Sequence, residues 1–287
     1  MKGIFSLILL LAQLFSLQGQ EIDFKAFHRH FTEVAFGLYA SKFETSNGEY
    51  RAFIRDLKKH NKKDELMICM VDSTRWADVM KYSKPYEQYY FQHEAYNDYP
   101  VVNITKEAAR QYCKWLTEQY NRAPKRKYKR VRFRLPTEQE WRMAADAGQE
   151  NALFPWGGPY LQNAKGNYLA NFRVIPQSAI RDRGDKECLE YVPLDAKNRN
   201  LGLQSDLGGL EGTITSPVKS FYPNEYGLYN MSGNVAEMVE SKTRSTMGGS
   251  WQNTGYFLRL DAEDPYAEVE GPYPAIGFRV FMEIIEE

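Results

Sequence analysis

Residues 216–238 read SPVKSFYPNEYGLYNMSGNVAEM, the most informative segment of this 287-residue sequence. The segment is rich in Gly, Pro, Asn and aromatic residues, and its apolar runs are too short to sustain a helical period. The same composition holds from Gly148 to the last residue and predicts loops and short strands. Long irregular segments are uncommon in compact domains. Such segments need contacts that hold them in place, and bound ions are one usual way to provide these contacts.

Before Gly148 the pattern is helical. SNGEYRAFIRDLKKH (46–60) and TEQEWRMAADAG (137–148) each begin with Ser or Thr followed three residues later by Glu, the spacing of a capping box. TKEAARQYCKWLTEQY (105–120) begins with Thr and keeps its apolar residues on one helix face. These helices and the loop-rich second half predict an α+β fold, organised as one domain over residues 21–287.

The charge balance excludes one class of partner. Lys and Arg number 37 and Asp and Glu number 37, so no net charge attracts the chain to nucleic acid. The basic stretch RAPKRKYKRVRFR (122–134) ends in an alternation that predicts a strand with a solvated basic face. This stretch is either a soluble surface or a contact for an anionic partner, such as lipopolysaccharide or an acidic protein.

The first twenty residues differ from the rest. Lys2 precedes an apolar run that is too short to span a bilayer, and the small residue Gly19 follows that run. This pattern predicts a secretory signal peptide over residues 1–20 and an exported protein that is soluble after cleavage, with no transmembrane segment. The alternative, an amphipathic first helix, lacks a polar face at helical spacing.

Cysteine and histidine provide few functional candidates. Cys69, Cys113 and Cys188 are the only cysteines, and an odd number in an oxidising compartment leaves at least one free thiol. Cys113 lies in a helical pattern and is expected to be buried. A disulfide between Cys69 and Cys188 is possible, but the sequence does not decide whether it forms. His28 and His30 lack a third ligand, so they are a weak basis for a transition-metal site.

Several segments occur together in the order of one known family. They are RLPTEQEWRMAADAG (134–148), FPWGG (154–158), SPVKSFYPNEYGLYNMSGNVAEM (216–238), GGSW (248–251) and GFRV (277–280). In this combination the chain resembles the formylglycine-generating enzyme, or sulfatase-modifying factor, family over nearly all of residues 36–283. The resemblance implies a single loop-rich domain of that type, related to the C-type lectin fold.

The insert at residues 72–102 narrows the resemblance. Its sequence, DSTRWADVMKYSKPYEQYYFQHEAYNDYPVV, is similar to the corresponding part of gliding-motility and type IX secretion lipoproteins that carry this domain. The resemblance implies a periplasmic or outer-membrane-associated protein whose partner is an envelope protein or a peptide or glycan ligand. The chain differs from those lipoproteins because it has no lipid-attachment cysteine near the predicted cleavage point.

The resemblance also locates a vacated catalytic site. Enzymes of this family place two cysteines between GGS and GFR, where their thiolates bind copper(I). No cysteine follows Cys188, and Leu258 and Ala262–Glu263 occupy the neighbourhood of the pair, so we expect neither copper nor a catalytic residue. The groove that remains is predicted to be lined by Trp156, Tyr226, Trp251, Tyr256 and Arg259.

Structural calcium is a further implication of the resemblance. Asn230, Gly233, Val235 and Glu237 match the second calcium site of the family. Side-chain oxygens of the first and last residues and backbone carbonyls of the other two suit a hard cation. Taken alone, the same residues are typical of a glycine turn before a helix-starting Glu.

The first calcium site of the family is matched less well. Asn171 and Phe172 correspond to its first half. Glu211 and Thr213 are the nearest match to its second half, one residue out of register, and Asp206 is a competing candidate. The resemblance therefore implies two structural calcium sites, of which the second is better matched.

Two functions are compatible with these patterns. The favoured one is an exported, non-catalytic binding or scaffold protein of the bacterial envelope, linked to gliding motility or protein secretion. The alternative is an oxidative tailoring enzyme that uses non-cysteine chemistry. In that case Asp261, Glu263 and Asp264, near Arg259, would supply acid–base groups or hold a harder metal. Acidic side chains in an exposed loop are usually solvated, which favours the first function.

Overall fold

The computed structural model describes residues 27–175, 180–182, 189–191 and 214–287. The predicted signal peptide (1–20), Cys188, Asp206, Glu211 and Thr213 lie outside the described residues. Helices and strands alternate irregularly along the described chain, and the predicted α+β class is confirmed.

The described residues contain five α-helices. They are α1 (Asn47–Lys59), α2 (Lys63–Cys69), α3 (Lys84–Tyr89), α4 (Lys106–Arg122) and α5 (Glu138–Asp146). Helices α1 and α5 begin with capping boxes at Ser46 and Thr137, where the hydroxyl and a Glu carboxylate satisfy backbone N–H groups of the first turn. Helix α4 is capped by Thr105, whose hydroxyl accepts a hydrogen bond from Ala108 N–H. The three helices predicted from the sequence are confirmed.

The strands form three small sheets. They are β1 (Phe31–Ala35), β2 (Leu38–Ser41), β3 (Arg130–Arg134), β4 (Ile180–Asp182), β5 (Leu189–Tyr191), β6 (Ala236–Met238), β7 (Thr246–Met247), β8 (Ile276–Gly277) and β9 (Phe281–Glu286). One antiparallel sheet has the order β1-β2-β9-β3. Strand β6 pairs antiparallel with β7 and parallel with β8, and β4 pairs with β5. Because β9 lies between β2 and β3, the last described strand holds the earlier ones together.

Helix α4 covers the outer edge of β3. The Asn121 amide donates to Val131 O (2.9 Å) and accepts from Val131 N–H (3.0 Å), and Phe133 N–H donates to Thr117 Oγ1 (2.9 Å). These side chains satisfy backbone groups that an edge strand otherwise leaves open. The predicted strand with a basic face is confirmed, since Val131 and Phe133 are buried while Arg132 is exposed.

Buried apolar residues form three clusters. In the main cluster, Tyr50 of α1 stacks on Tyr112 of α4 (5.7 Å between ring centroids), and Phe278 meets Tyr112 edge to face (5.5 Å). A second cluster around Trp141 connects α5 to β1 and β2. A third, smaller cluster contains Leu258 and supports the loops that carry the candidate site.

Candidate functional site

A buried polar network connects the 216–238 segment to Glu44. This side chain is buried, and its carboxylate oxygens accept hydrogen bonds from Asn230 Nδ2 (2.9 Å) and Asn234 Nδ2 (2.8 Å). Both asparagines have positive φ, 52° and 61°, a conformation that Asn adopts more readily than most residues. Burial raises the pKa of Glu44 to about 8, against the attraction of Arg279.

A buried ion pair lies beside this network. Glu237 on β6 accepts from Arg279 Nη2 (2.6 Å) and Nε (3.0 Å), and Trp141 Nε1 donates to the same carboxylate (2.7 Å). The guanidinium also donates to Ser41 O (2.8 Å) and Tyr229 O (2.7 Å). Burying two charges is costly unless they are paired and hydrogen-bonded, and here both conditions are met. The pair ties together β2, β6 and the segment before β9.

The residues predicted to form the second calcium site lie in one turn and the strand that follows. Asn230 donates its amide to Glu44, and both oxygens of Glu237 already accept hydrogen bonds. A calcium ion at Glu237 would have to replace the Arg279 guanidinium, because like charges at such short range repel strongly in a buried site. The carboxylate therefore does not fit calcium as it is arranged here. Calcium at this turn, with the Gly233 and Val235 carbonyls, stays a prediction.

The predicted first half-site lies next to this turn. A Cβ on Gly233, which has φ of 82°, would lie 2.6 Å from Asn171 O, so only glycine permits this approach. Phe172 is buried in the third apolar cluster. Glu211 and Thr213 lie outside the described residues, so the first calcium site also stays a prediction.

The residues predicted to line the groove do not all share one surface. Trp251 lies in the main core, where its indole stacks on Trp76 (6.3 Å between centroids) and donates to Pro274 O (3.3 Å). Tyr226 is partly buried against the second cluster. The sequence predicts Trp251 as a residue that lines the groove. Its apolar ring is instead more stable in the core.

Trp156, Tyr256 and Arg259 lie nearer to the surface. Trp156 is partly buried and stacks on Phe154 at 4.9 Å with an interplanar angle of 8°. Tyr256 is half exposed, and the Arg259 guanidinium lies over its ring at 5.6 Å. The same guanidinium binds Asp261 with a shortest distance of 2.6 Å.

Two buried apolar residues lie in the neighbourhood in which the resemblance places the catalytic cysteines. Leu258 is completely buried against Phe154 and Phe172 in the third cluster. Its carbonyl accepts from Ser232 Oγ (2.7 Å), so the backbone is anchored as well. Ala262 is also buried. Glu263, the third residue of this neighbourhood, is an exposed carboxylate, and none of the three residues presents a thiol or an imidazole.

The carboxylates proposed for the alternative enzyme function are held in structural contacts. Asp264 accepts from the N–H groups of Ser245 and Thr246 (both 2.8 Å), and it also accepts from Thr246 Oγ1 (2.6 Å). Asp261 is paired with Arg259, and this hydrogen bond lowers the pKa of the Asp261 carboxyl. A general base near neutral pH needs a raised pKa and a free lone pair. Glu263, which is exposed, is the third candidate.

The described thiols are poor nucleophiles. Cys69 and Cys113 are free and buried, and burial raises the pKa of both, that of Cys69 to about 12. His28 and His30 lie in a single 3₁₀ turn, and burial lowers the pKa of each. In the described part of the chain, no cluster of three or more His, Cys, Asp or Glu residues is placed to hold a metal ion.

Three residues of the buried network had no role in the sequence analysis. Asn234 and Arg279 lie inside the motifs at 216–238 and 277–280, whereas Glu44 lies outside the quoted motifs, just before helix α1. The signal that marks Asn234 and Arg279 is an amide or charged side chain within a glycine-containing motif, and no such local signal marks Glu44. Across the described residues, no helix has the length and apolar character needed to cross a membrane.

Comparisons with known proteins agree with the resemblance. Residues 14–284 match the sulfatase-modifying factor enzyme 1-like domain family. The chain is 30% identical over 165 residues to "Inactive C-alpha-formylglycine-generating enzyme 2" of Bos taurus, which covers 55% of this chain and 40% of that protein. It is 30% identical over 140 residues to the formylglycine-generating enzyme of Thermomonospora curvata, covering 49% and 32%. The chain thus spans less than half the length of these relatives.

Among solved structures, "Treponema denticola variable protein 1" aligns with a TM-score of 0.49 and 16% identity. The alignment covers 88% of this chain and 91% of that one.

Proposed function

The chain belongs to the sulfatase-modifying factor enzyme 1-like domain family, and on that premise we propose that it is a non-catalytic binding or scaffold protein. The family includes a relative whose name describes it as inactive and others named as formylglycine-generating enzymes. Membership alone therefore does not choose between catalysis and binding, and the residues of the site must.

The observation that carries the proposal is the filling of the catalytic neighbourhood. In the neighbourhood where the resemblance places the thiolates of the family's enzymes, Leu258 and Ala262 are buried apolar side chains and Glu263 is exposed. Copper(I) needs soft sulfur ligands. The described cysteines lie elsewhere, in the main core, with raised pKa values.

The finer parts of the proposal are supported by sequence patterns. The basic and apolar first twenty residues support export, and the insert at 72–102 supports a role in the bacterial envelope linked to gliding motility or protein secretion. We propose a periplasmic or outer-membrane-associated location. The partner is then an envelope protein or a peptide or glycan ligand. The oxidative tailoring alternative gains no support from Asp261 and Asp264, whose oxygens are engaged.

An oxygen-uptake assay tests the absence of catalysis. The purified full chain is loaded with copper(I) and supplied with a reductant and a cysteine-containing peptide, and peptide aldehyde is measured by mass spectrometry. Oxygen uptake and aldehyde formation should equal those of a protein-free sample and of the Cys69→Ser variant. Protein-dependent aldehyde formation, or stoichiometric copper in the protein as purified, would overturn the proposal.

A further inference from the structure

Three uncharged segments of the chain meet on one side of the molecule. Residues 151–164, 220–224 and 245–258 contain no Lys, Arg, Asp or Glu, although 26% of the whole chain is charged. Each segment instead contains aromatic residues together with Asn or Gln. A surface built from these segments is neutral, and it is rich in ring faces and amide groups.

Specific contacts join the three segments. Asn163 Nδ2 donates to the Tyr222 hydroxyl (3.4 Å), which connects the first segment to the second. A Cβ on Gly255 would lie 2.3 Å from Leu161 Cδ1, so Leu161 packs directly on the backbone next to Tyr256. The loop at 156–163 therefore has Tyr222 on one neighbouring segment and Tyr256 on the other.

Tyrosine rings are exposed around this loop. Tyr160 is 74% exposed, Tyr222 is 47% exposed and Tyr256 is 50% exposed. Large aromatic side chains are usually covered in soluble proteins, and an exposed group of them marks an interaction site. We call Trp156, Tyr160, Tyr222 and Tyr256 the tyrosine surface.

Contacts hold three of the four rings of the tyrosine surface before any ligand binds, those of Trp156, Tyr222 and Tyr256. Trp156 Nε1 donates to Tyr160 O (2.8 Å), which closes the loop between them. Phe221, immediately before Tyr222, has φ of 59°, which is strained for a bulky side chain. Such strain is concentrated at binding sites, where the surrounding structure maintains it. Pre-organised rings lose little conformational entropy on binding.

The chemistry of the tyrosine surface selects a neutral ligand. Arg259, which reaches the Tyr256 ring, is already neutralised by Asp261. The three segments themselves therefore offer a charged peptide or a polyanion no counter-charge. Sugar rings present flat C–H faces that stack on aromatic rings, and their hydroxyl groups exchange hydrogen bonds with phenol and amide groups.

We propose that the tyrosine surface binds a neutral oligosaccharide of pyranose units, an inference that rests on the proposed binding role of the protein. Tyr160 and Tyr256 stack on successive sugar rings. The Tyr222 hydroxyl and the amides of the 151–164 segment form hydrogen bonds with the sugar hydroxyls.

Calorimetric titration of the full chain with maltohexaose, cellohexaose and chitohexaose tests this proposal. We expect at least one of them to bind, and Tyr160→Ala and Tyr256→Ala each to weaken binding by about fivefold, the scale of one aromatic contact. Tyr160→Phe keeps the ring and should change the affinity by less than about twofold. Tyr82→Ala removes a tyrosine of similar exposure, 81%, outside this surface and serves as the matched control.

The outcomes separate this inference from the proposed function. Absence of binding to all three sugars overturns it, and so does binding that the alanine variants leave unchanged. Decaproline is titrated in parallel. If decaproline binds, Tyr160→Ala abolishes that binding and the sugars do not bind, the saccharide assignment fails while the binding role survives. Hydrolysis or oxidation of a bound sugar would overturn the non-catalytic function and leave the saccharide site intact.

Discussion

Substitution of Arg279 by Met tests whether its buried ion pair with Glu237 is a structural centre of the fold. The guanidinium is fully buried, contacts both Glu237 oxygens and donates to Ser41 O and Tyr229 O. In Arg279→Met the Glu237 carboxylate remains buried, with Trp141 as its remaining donor among the described residues. The variant thus leaves a buried negative charge in the core without its cationic partner.

The burial of the ion pair determines how large the expected loss in free energy of unfolding is. Removing one partner of a buried pair costs about 3–5 kcal/mol, because the other charge stays desolvated. Arg110 and Glu240 form a matched control pair with contacts of 2.7 and 2.8 Å, yet their side chains are 46% and 38% exposed. We expect Arg279→Met to lower the free energy of unfolding by about 3–5 kcal/mol and Arg110→Met to lower it by at most about 1 kcal/mol.

Urea unfolding followed by tryptophan fluorescence measures both losses. The midpoint should fall while the denaturant slope stays constant, since the surface exposed on unfolding is the same. The double variant Arg279→Met, Glu237→Met should regain much of the lost stability, because no unpaired charge is left in the core. Equal losses in Arg279→Met and Arg110→Met, or a double variant as unstable as Arg279→Met, would refute the reasoning.

Three further predictions concern the network and the sheet edge. The raised pKa of Glu44 means that the folded state retains a proton that the unfolded state releases, so stability should decline as pH rises from about 5 to about 8. Glu44→Gln should flatten this slope in urea titrations across that range, and an unchanged slope contradicts the assignment. Asn121→Leu leaves the Val131 backbone groups unpaired and should cost about 1–3 kcal/mol by urea unfolding; a neutral effect would mean that the edge needs no cover. Calcium at the Asn230 turn predicts a melting temperature that is higher in calcium than in EGTA, with the difference lost in Asn230→Ala; equal melting temperatures in the unsubstituted protein contradict it.

Local signals explain why some elements were predictable. The capping boxes at Ser46 and Thr137 use residues three positions apart, so the sequence displays them directly. Helices α2 and α3, of 7 and 6 residues, were not predicted, because so few residues cannot show a helical period. Strand β3 was predictable from the alternation of Val131 and Phe133, whereas its cover by α4 depends on Asn121 and Thr117 side chains reaching across.

The candidate site was less predictable than the fold. The sequence identified the turn from Asn230 to Glu237, and the structure places these residues together. It did not identify Glu44, which hydrogen-bonds to Asn230 across 186 positions of the chain. The tyrosine surface is likewise formed by residues that are distant in the sequence, since Asn163 and Tyr222, which form a hydrogen bond, lie 59 positions apart. Spacing along a chain does not encode such contacts.

The family, the α+β class and the three capped helices are predictable from the sequence alone, because each depends on motifs or on neighbours a few residues apart. Which polar groups pair depends on the tertiary fold. In the folded chain Trp251 lies in the core rather than in a groove. The Glu237 carboxylate forms its ion pair with Arg279, 42 positions away. The physical reason is that burial determines how much a charged or aromatic side chain contributes to stability. Burial is a property of the packed chain and not of neighbouring residues in the sequence.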